Sequence, residues 1–471
     1  MGMLRFFLVL FSLAFASAAS AESMDNKALV KLLESKGVIT ADEASAVEKD
    51  TKPKLAFSGE MRFRPEMKNN YDFNDKKDDA YAYIGQRVRL NVKANPADNI
   101  EAVLTIQDSR RWGEKSAGTN TACTGSTTVA CTTTNTMAAQ GNTSSSGGEA
   151  ESLDLFQAYF QVSNVGGMGI DAKVGRQTLE YGDQRLIGSL GWSDNGRAFD
   201  AYKLMWRGAR GQADVFAAKL IEKGAPSGGQ SDSDLYGLYT TWSIVEKNSL
   251  DVYYLVWTNV NEQSVNTYGL RLAGALAAFD YTAEAAFQTG TWTAKVDQSA
   301  NAYAIKAGYT MKETWNTRIG AEYDYGSGDD KADAATHKTF VFPFHTNHGH
   351  YGYMDFFSWG NMKDTKLMVT TKPMDGKSTL EIAYHIFELD QAKDTWYNVV
   401  GTGTLFAAAG AKTKTDAGTE LDLTVTYPYN PALKLIAGYS YFAPGDTVKE
   451  RTSNTSPDNA TWGFAMAVLA F

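Results

Sequence analysis

Arginines at every second position are the feature of this sequence best suited to chemistry. Arg62 and Arg64 flank Phe63, and Arg87 and Arg89 flank Val88. A period of two sends alternate side chains to opposite faces of an extended strand, so each arginine pair shares one face. The same alternation puts Lys203, Arg207, Arg271 and Arg318 on the polar faces of other runs. Glu60, Glu66, Glu322, Asp324 and Glu381 fall on those faces too, a tally of eight basic to five acidic residues. Guanidinium groups fork onto carboxylates, and rings of Arg and Lys around an aqueous passage draw anions into it. Paired with the acids, the same groups would brace a wall. Both uses are expected together, with the surplus of positive charge setting a mild preference for anions.

A second constellation runs from Gly175 to Ala201. It combines Arg176, Glu180, Asp183, Arg185, Asp194 and Arg197 with Tyr181, Trp192 and Phe199. A loop bathed in water has no need of that mixture, whereas a loop folded into a pore would use it to narrow the passage. The competing reading is a loop packed on its neighbours at a rim. His345, His348 and His350 lie within six residues and could ligate a transition metal or simply hydrogen-bond within a loop. No stretch brings together a nucleophile, a base and an orienting group, so no catalytic residues are expected. The two cysteines, Cys123 and Cys131, sit in a Thr-, Gly- and Ser-rich segment. In an exported chain they are expected to form a disulfide. No Cys-x-x-Cys-His is present to attach haem, and no cofactor or nucleic-acid partner is expected.

The elements that must position these residues begin with export. Arg5 precedes an apolar run from Phe6 to Ala16 and a small-residue site at Ala19-Ser20-Ala21, which reads as a signal peptide over residues 1–21. The run is far short of the ~20 residues a spanning helix needs. Residues 22–53 read as a helical hairpin on the periplasmic side. Ala28, Leu29, Leu32 and Leu33 are spaced as on a helix, Gly37 stands where a C-terminal cap would, and Thr40-Ala41-Asp42-Glu43 forms a capping box. The hairpin could plug a pore or bind a periplasmic partner.

From residue 54 the period changes to two. Leu55, Phe57, Met61 and Phe63 alternate with Glu60, Arg62 and Arg64; Leu380, Ile382, Tyr384 and Ile386 alternate with Glu381 and His385; Leu421, Leu423 and Val425 alternate with Glu420, Asp422 and Thr424. Short turns occur at 95–99, 165–167, 207–211, 247–248, 277–278, 312–313, 373–376 and 430–432. Long polar connections run over 112–151, 179–195, 326–362, 390–418 and 444–460. Alternating short turns and long loops characterise an outer-membrane β-barrel. Eight short turns imply eighteen strands over 54–471, the last from Trp462 to Phe471. That strand is apolar on both faces, so its phase is unreadable. A polar average composition, with net charge −9 and 12% aromatic residues, suits a barrel whose lipid-facing and lumen-facing residues alternate. A soluble sandwich would keep charges off its inner faces, and a propeller would show a repeat near ~40 residues that this chain lacks.

The block from Gly175 to Ala201 resembles the signature of the alginate export family of outer-membrane porins. Phe342-Pro343-Phe344-His345-Thr346-Asn347-His348-Gly349-His350-Tyr351-Gly352-Tyr353-Met354-Asp355 is similar to that family's Thr-Asn-His loop. Glu420-Leu421-Asp422-Leu423, with Gly438 through Asp446, is similar to its penultimate hairpin. The resemblance implies an eighteen-stranded barrel in the outer membrane, in contact with its lipid, with an Arg/Lys-lined lumen that leads small anions or an anionic polysaccharide across. It implies a structural hydrogen bond for His348 and no metal. The helical hairpin and the cysteine-bearing loop depart from the family pattern. A different expectation is a barrel that sheathes a partner, such as a periplasmic multihaem cytochrome.

Overall fold

The computed structural model describes residues 31 and 33–43, and residues 55–471 apart from 77, 113–151, 222–231, 260–261, 332–333, 347, 402 and 408–411. The expected signal peptide, the Cys123–Cys131 disulfide and most of the helical hairpin lie outside the described residues. The N-terminal unit and the barrel are separate compact bodies. In the first, Gly37 adopts φ +67° while Val38 N–H donates to Leu33 O at 2.9 Å, which closes a helix end. Thr40 N–H donates to Glu43 Oε2 at 2.8 Å and Glu43 N–H to Thr40 Oγ1 at 3.2 Å, the two reciprocal bonds of a capping box.

The second body is a closed antiparallel barrel of eighteen strands. They are β1 Leu55–Asn69, β2 Tyr81–Ala97, β3 Ile100–Arg111, β4 Ser152–Val162, β5 Ile170–Gln177 and β6 Phe199–Arg207. Next come β7 Gly211–Ile221, β8 Ser233–Val245, β9 Asn248–Asn259, β10 Gln263–Leu276, β11 Phe279–Thr293 and β12 Val296–Met311. The ring continues with β13 Thr317–Gly326, β14 Met362–Thr371, β15 Thr379–Glu388, β16 Asp416–Pro428, β17 Leu433–Pro444 and β18 Ala460–Ala470. Each pairs with its sequence neighbours, and β18 returns to β1, with Glu60 opposite Ala470 and Asn69 opposite Thr461. Beyond that ladder Gly59 N–H donates to Phe471 O at 2.7 Å and Phe471 N–H to Gly59 O at 3.1 Å, so the terminal residue completes the closure. Closure leaves no unpaired edge, the condition for a sheet to stand in hydrocarbon.

All eight short turns fall where the period breaks in the sequence. The opposite end is less regular than expected. The β9–β10 and β11–β12 connections at that end are short, while the other connections there are long. Outward positions carry a belt of exposed apolar and aromatic side chains, including Leu204, Val215, Leu238, Tyr254, Leu270, Ile305, Ile319, Leu367, Ile382 and Leu423. Burial also settles the phase of β18. Trp462, Phe464 and Met466 are buried and point inward, while Leu469 and Phe471 are exposed. The inward face of β18 is apolar because it receives loop side chains rather than water.

Candidate functional site

The lumen is partly filled by two loops. Residues 178–198 between β5 and β6, and the described residues of 334–361 between β13 and β14, turn into the barrel and pair with each other. Gly188 N–H donates to Phe344 O and Thr346 N–H to Gln184 O, both at 2.9 Å. Leu179, Leu186 and Ile187 from the first loop join Phe340, Phe342, Phe344, Met354 and Phe357 from the second in one buried apolar cluster with Phe199, Trp257 and Val265 of the wall. Burial of such side chains draws a loop inward against its entropy, at ~25 cal/mol per Å² of apolar surface.

The paired arginines of β1 and β2 hold the tip of the first loop. Arg62 donates to Gly191 O at 3.0 Å and forms an ion pair with Asp194. Arg64 donates to Trp192 O at 2.5 Å and to Glu66 at 2.6 Å, and its guanidinium lies 4.2 Å from the centre of the Trp192 ring. Arg87 bridges Gly191 O, Ser193 O and Glu60 at 3.1, 2.9 and 2.6 Å. Arg62, Arg64, Arg87 and Asp194 are all buried. These arginines face the barrel axis, but a loop lies between them and water. Arg89 stacks on Phe156 at 3.8 Å and donates to Gln107 at 2.7 Å.

Arg185 is the centre of a second cluster. Its Nε lies 3.0 Å from Asp183, its Nη1 2.9 Å from both Tyr351 Oη and Asp324, and its Nη2 pairs with Glu322 of β13. Burial alone would raise the Asp183 carboxyl, but Arg185 beside it, with His350 and Arg271, holds it well below the usual carboxylate range. Arg197 donates to Gly188 O at 3.3 Å, His345 O at 2.8 Å and Pro343 O at 3.1 Å, which ties the two loops together. Glu180 is exposed on the loop surface.

The wall residues sort differently. Lys203 lies 3.5 Å from Asp214, which also pairs with Arg207. Arg271 pairs with Asp251 at 3.2 Å, and Arg318 forks onto Asp280 at 2.7 and 2.6 Å. Arg176 lies elsewhere. It forks onto Asp200 at 2.8 and 2.9 Å on the outward face, in register with exposed positions of β6, and does not line the lumen. The alternation of Ile170, Ala172 and Val174 carried that phase, and it turns Lys173 inward instead. Lys306 of β12 also faces inward, on the buried face of Ala302 and Ala304. Acids outside the first tally face inward as well: Asp214, Asp251, Glu284, Asp364, Glu420 and Asp422. The inward face thus carries more acids than the first tally, and further cations too, among them Lys93 and Lys366.

The histidines are absorbed by packing. His348 stacks between Trp192 and Tyr353, at 3.9 and 4.7 Å between ring centres, with Nδ1 3.3 Å from Asp355. His345 bonds to Phe342 O and Val399 O at 2.8 and 2.6 Å, and His350 to Asp183 O at 3.0 Å. Among the described residues no three His, Cys, Asp or Glu side chains are grouped to hold a metal ion.

A model of the alginate export family matches residues 54–461. In fold the chain is similar to OccK2 (OpdF) of Pseudomonas aeruginosa, solved in complex with glucuronate, with a TM-score of 0.56, 10% identity, and 88% of this chain and 98% of that one covered. It is similar to OccAB4 of Acinetobacter baumannii, with a TM-score of 0.56, 12% identity and coverage of 90% and 99%. A third is OccK8 (OprE) of Pseudomonas aeruginosa, with a TM-score of 0.54, 10% identity and coverage of 88% and 98%. At these identities the likeness is one of fold. No curated protein sequence matches the chain.

Proposed function

This chain belongs to the alginate export family and is an outer-membrane channel, and from that premise we propose that it passes anionic solutes, including the carboxylate-bearing units of a polyuronate. One contrast carries the reading. The inward acids added to the tally are buried, whereas Lys93, Arg207 and Lys306 keep 48%, 44% and 39% of their side-chain surface exposed. We read these three exposed cations, set against the part-exposed inward carboxylates Asp280 at 39%, Glu60 at 33% and Glu101 at 29%, as weighting the water-facing charge toward cations. The three cations lie in the half of the barrel that ends in short turns, which is the periplasmic half by the rule for such barrels. The buried arginines of β1 and β2 serve the constriction by fixing the loop that forms it.

Planar-bilayer recording across a potassium chloride gradient tests the proposal. The reversal potential has the sign of anion preference, and oligouronate added on the short-turn side reduces the current. Lys93→Glu combined with Lys306→Glu moves the reversal potential toward cations. Cation preference of the unaltered channel sinks the proposal. The sheath reading has no observation in its favour, since the two inward loops occupy space that a threaded cytochrome would need. Export follows the same proposal: residues 1–21 are removed, and N-terminal sequencing of the membrane-extracted protein begins at Glu22.

A further inference from the structure

Lys173 of β5 and Lys203 of β6 are opposite one another in the ladder and share the inward face. Like charges directly opposite in a sheet are destabilising. Sheets avoid the arrangement unless an anion offsets it, so its neighbourhood shows whether the chain itself supplies one. Asp214 lies 3.5 Å from Lys203, but it also pairs with Arg207 and accepts from Tyr181 Oη at 3.1 Å. Asp171 accepts the Asn164 backbone N–H at 2.8 Å and the Gln161 amide at 3.4 Å. Glu101 pairs with Lys93. Among the described residues no carboxylate forms an ion pair with Lys173, whose ammonium instead rests 3.6 Å from the centre of the Tyr159 ring. One carboxylate thus serves Lys203 and Arg207, while Glu101 and Asp214 act on Lys173 only from beyond ion-pair distance.

We propose that Lys173 and Lys203, with Tyr159 beside them, form an oxyanion subsite for the carboxylate of a hexuronate unit near the short-turn mouth of the channel. The proposal rests on the anion-channel reading and adds to it a binding position. The carboxylate bridges the two ammonium groups that the ladder sets side by side. Tyr159, on the same inward face, supplies an apolar ring against which the C–H face of a sugar can lie, the usual complement to charged sugar recognition. A neutral hexose lacks the charge to bridge the pair and gains only the ring contact.

The test is single-channel recording with glucuronate added on the short-turn side, and glucose as the neutral control. Glucuronate interrupts the current and glucose does not. Lys173→Gln and Lys203→Gln each weaken the glucuronate block about tenfold, and Lys203→Arg retains it. Lys449→Gln, in the connection between β17 and β18, leaves the block within about twofold. Heat-dependent migration on gels verifies that each variant is a folded barrel. Equal block in Lys173→Gln and the unaltered channel, with anion preference intact, overturns the subsite while leaving the channel reading standing. A channel that prefers cations overturns the reading beneath it.

Discussion

Arg185 is buried among Asp183, Glu322, Asp324 and Tyr351, and it shows what a charged residue costs and gives inside this barrel. Its planar fork reaches several oxygens at once, which a lysine ammonium cannot match. Arg185→Met leaves Asp324 buried without its partner and Glu322 with Lys306 alone at 3.8 Å, and removal of one partner from a buried ion pair costs about 3–5 kcal/mol. The melting temperature in detergent falls accordingly, and Arg185→Lys recovers only part of the loss. The adjoining His350 gives the site a pH dependence. Burial pushes its imidazole down to about 4, with Arg185 acting in the same direction. Burial likewise lowers His345. Both rings are neutral in the folded loop and bind protons more readily when released. The His350 contribution is complete above the ordinary imidazole value and is lost as pH falls toward about 4, and His345 acts in the same direction. The melting temperature therefore drops between pH 7 and pH 4.5, and the drop is smaller in His350→Gln, whose amide can still donate to Asp183 O. An equal drop in that variant removes His350 from the account.

At the scale of elements, the short turns were legible because each interrupts an alternation of apolar and polar residues. The inward course of residues 178–198 was legible only as a mixture of residue types. The contacts that fix it join positions more than a hundred residues apart, such as Arg62 with Asp194 and Arg185 with Glu322. Arg176 shows the opposite failure: its phase stood in Ile170, Ala172 and Val174, but its place beside the loop block drew it to the wrong face. The loop tip depends on Trp192, which meets Trp462 and Phe464 edge-on at 5.8 and 4.9 Å and stacks on His348. Trp192→Ala removes that anchor while the arginine bonds to the loop carbonyls remain. The tip then moves among several positions, and single-channel conductance becomes larger and noisier with the ion preference unchanged. A steady current of unaltered size shows that the arginines alone hold the tip.

The whole molecule is decided by which face each strand turns to lipid, and two neighbouring residues of β16 separate the faces cleanly. Leu423 is 40% exposed on the outer belt beside Leu421 and Val425, while Thr424 lies opposite Glu381 on the inner face. A cation on the lipid face near the middle of the membrane costs about 2–4 kcal/mol, because neither water nor a counter-charge reaches it there. Leu423→Arg therefore destabilises the folded barrel by that amount in a chemical-denaturation titration in lipid vesicles. Thr424→Lys adds a charge one position away, yet it faces an aqueous interior with a carboxylate across the ladder, and its stability stays within about 1 kcal/mol of the unaltered protein. The alternation in the sequence carried this distinction, and the closure at Phe471 fixes it for the whole ring. A one-residue slip in the β1–β18 ladder would turn the inward side chains of β18 to lipid. Equal losses for the two variants would mean that β16 does not stand in the membrane with the phase described.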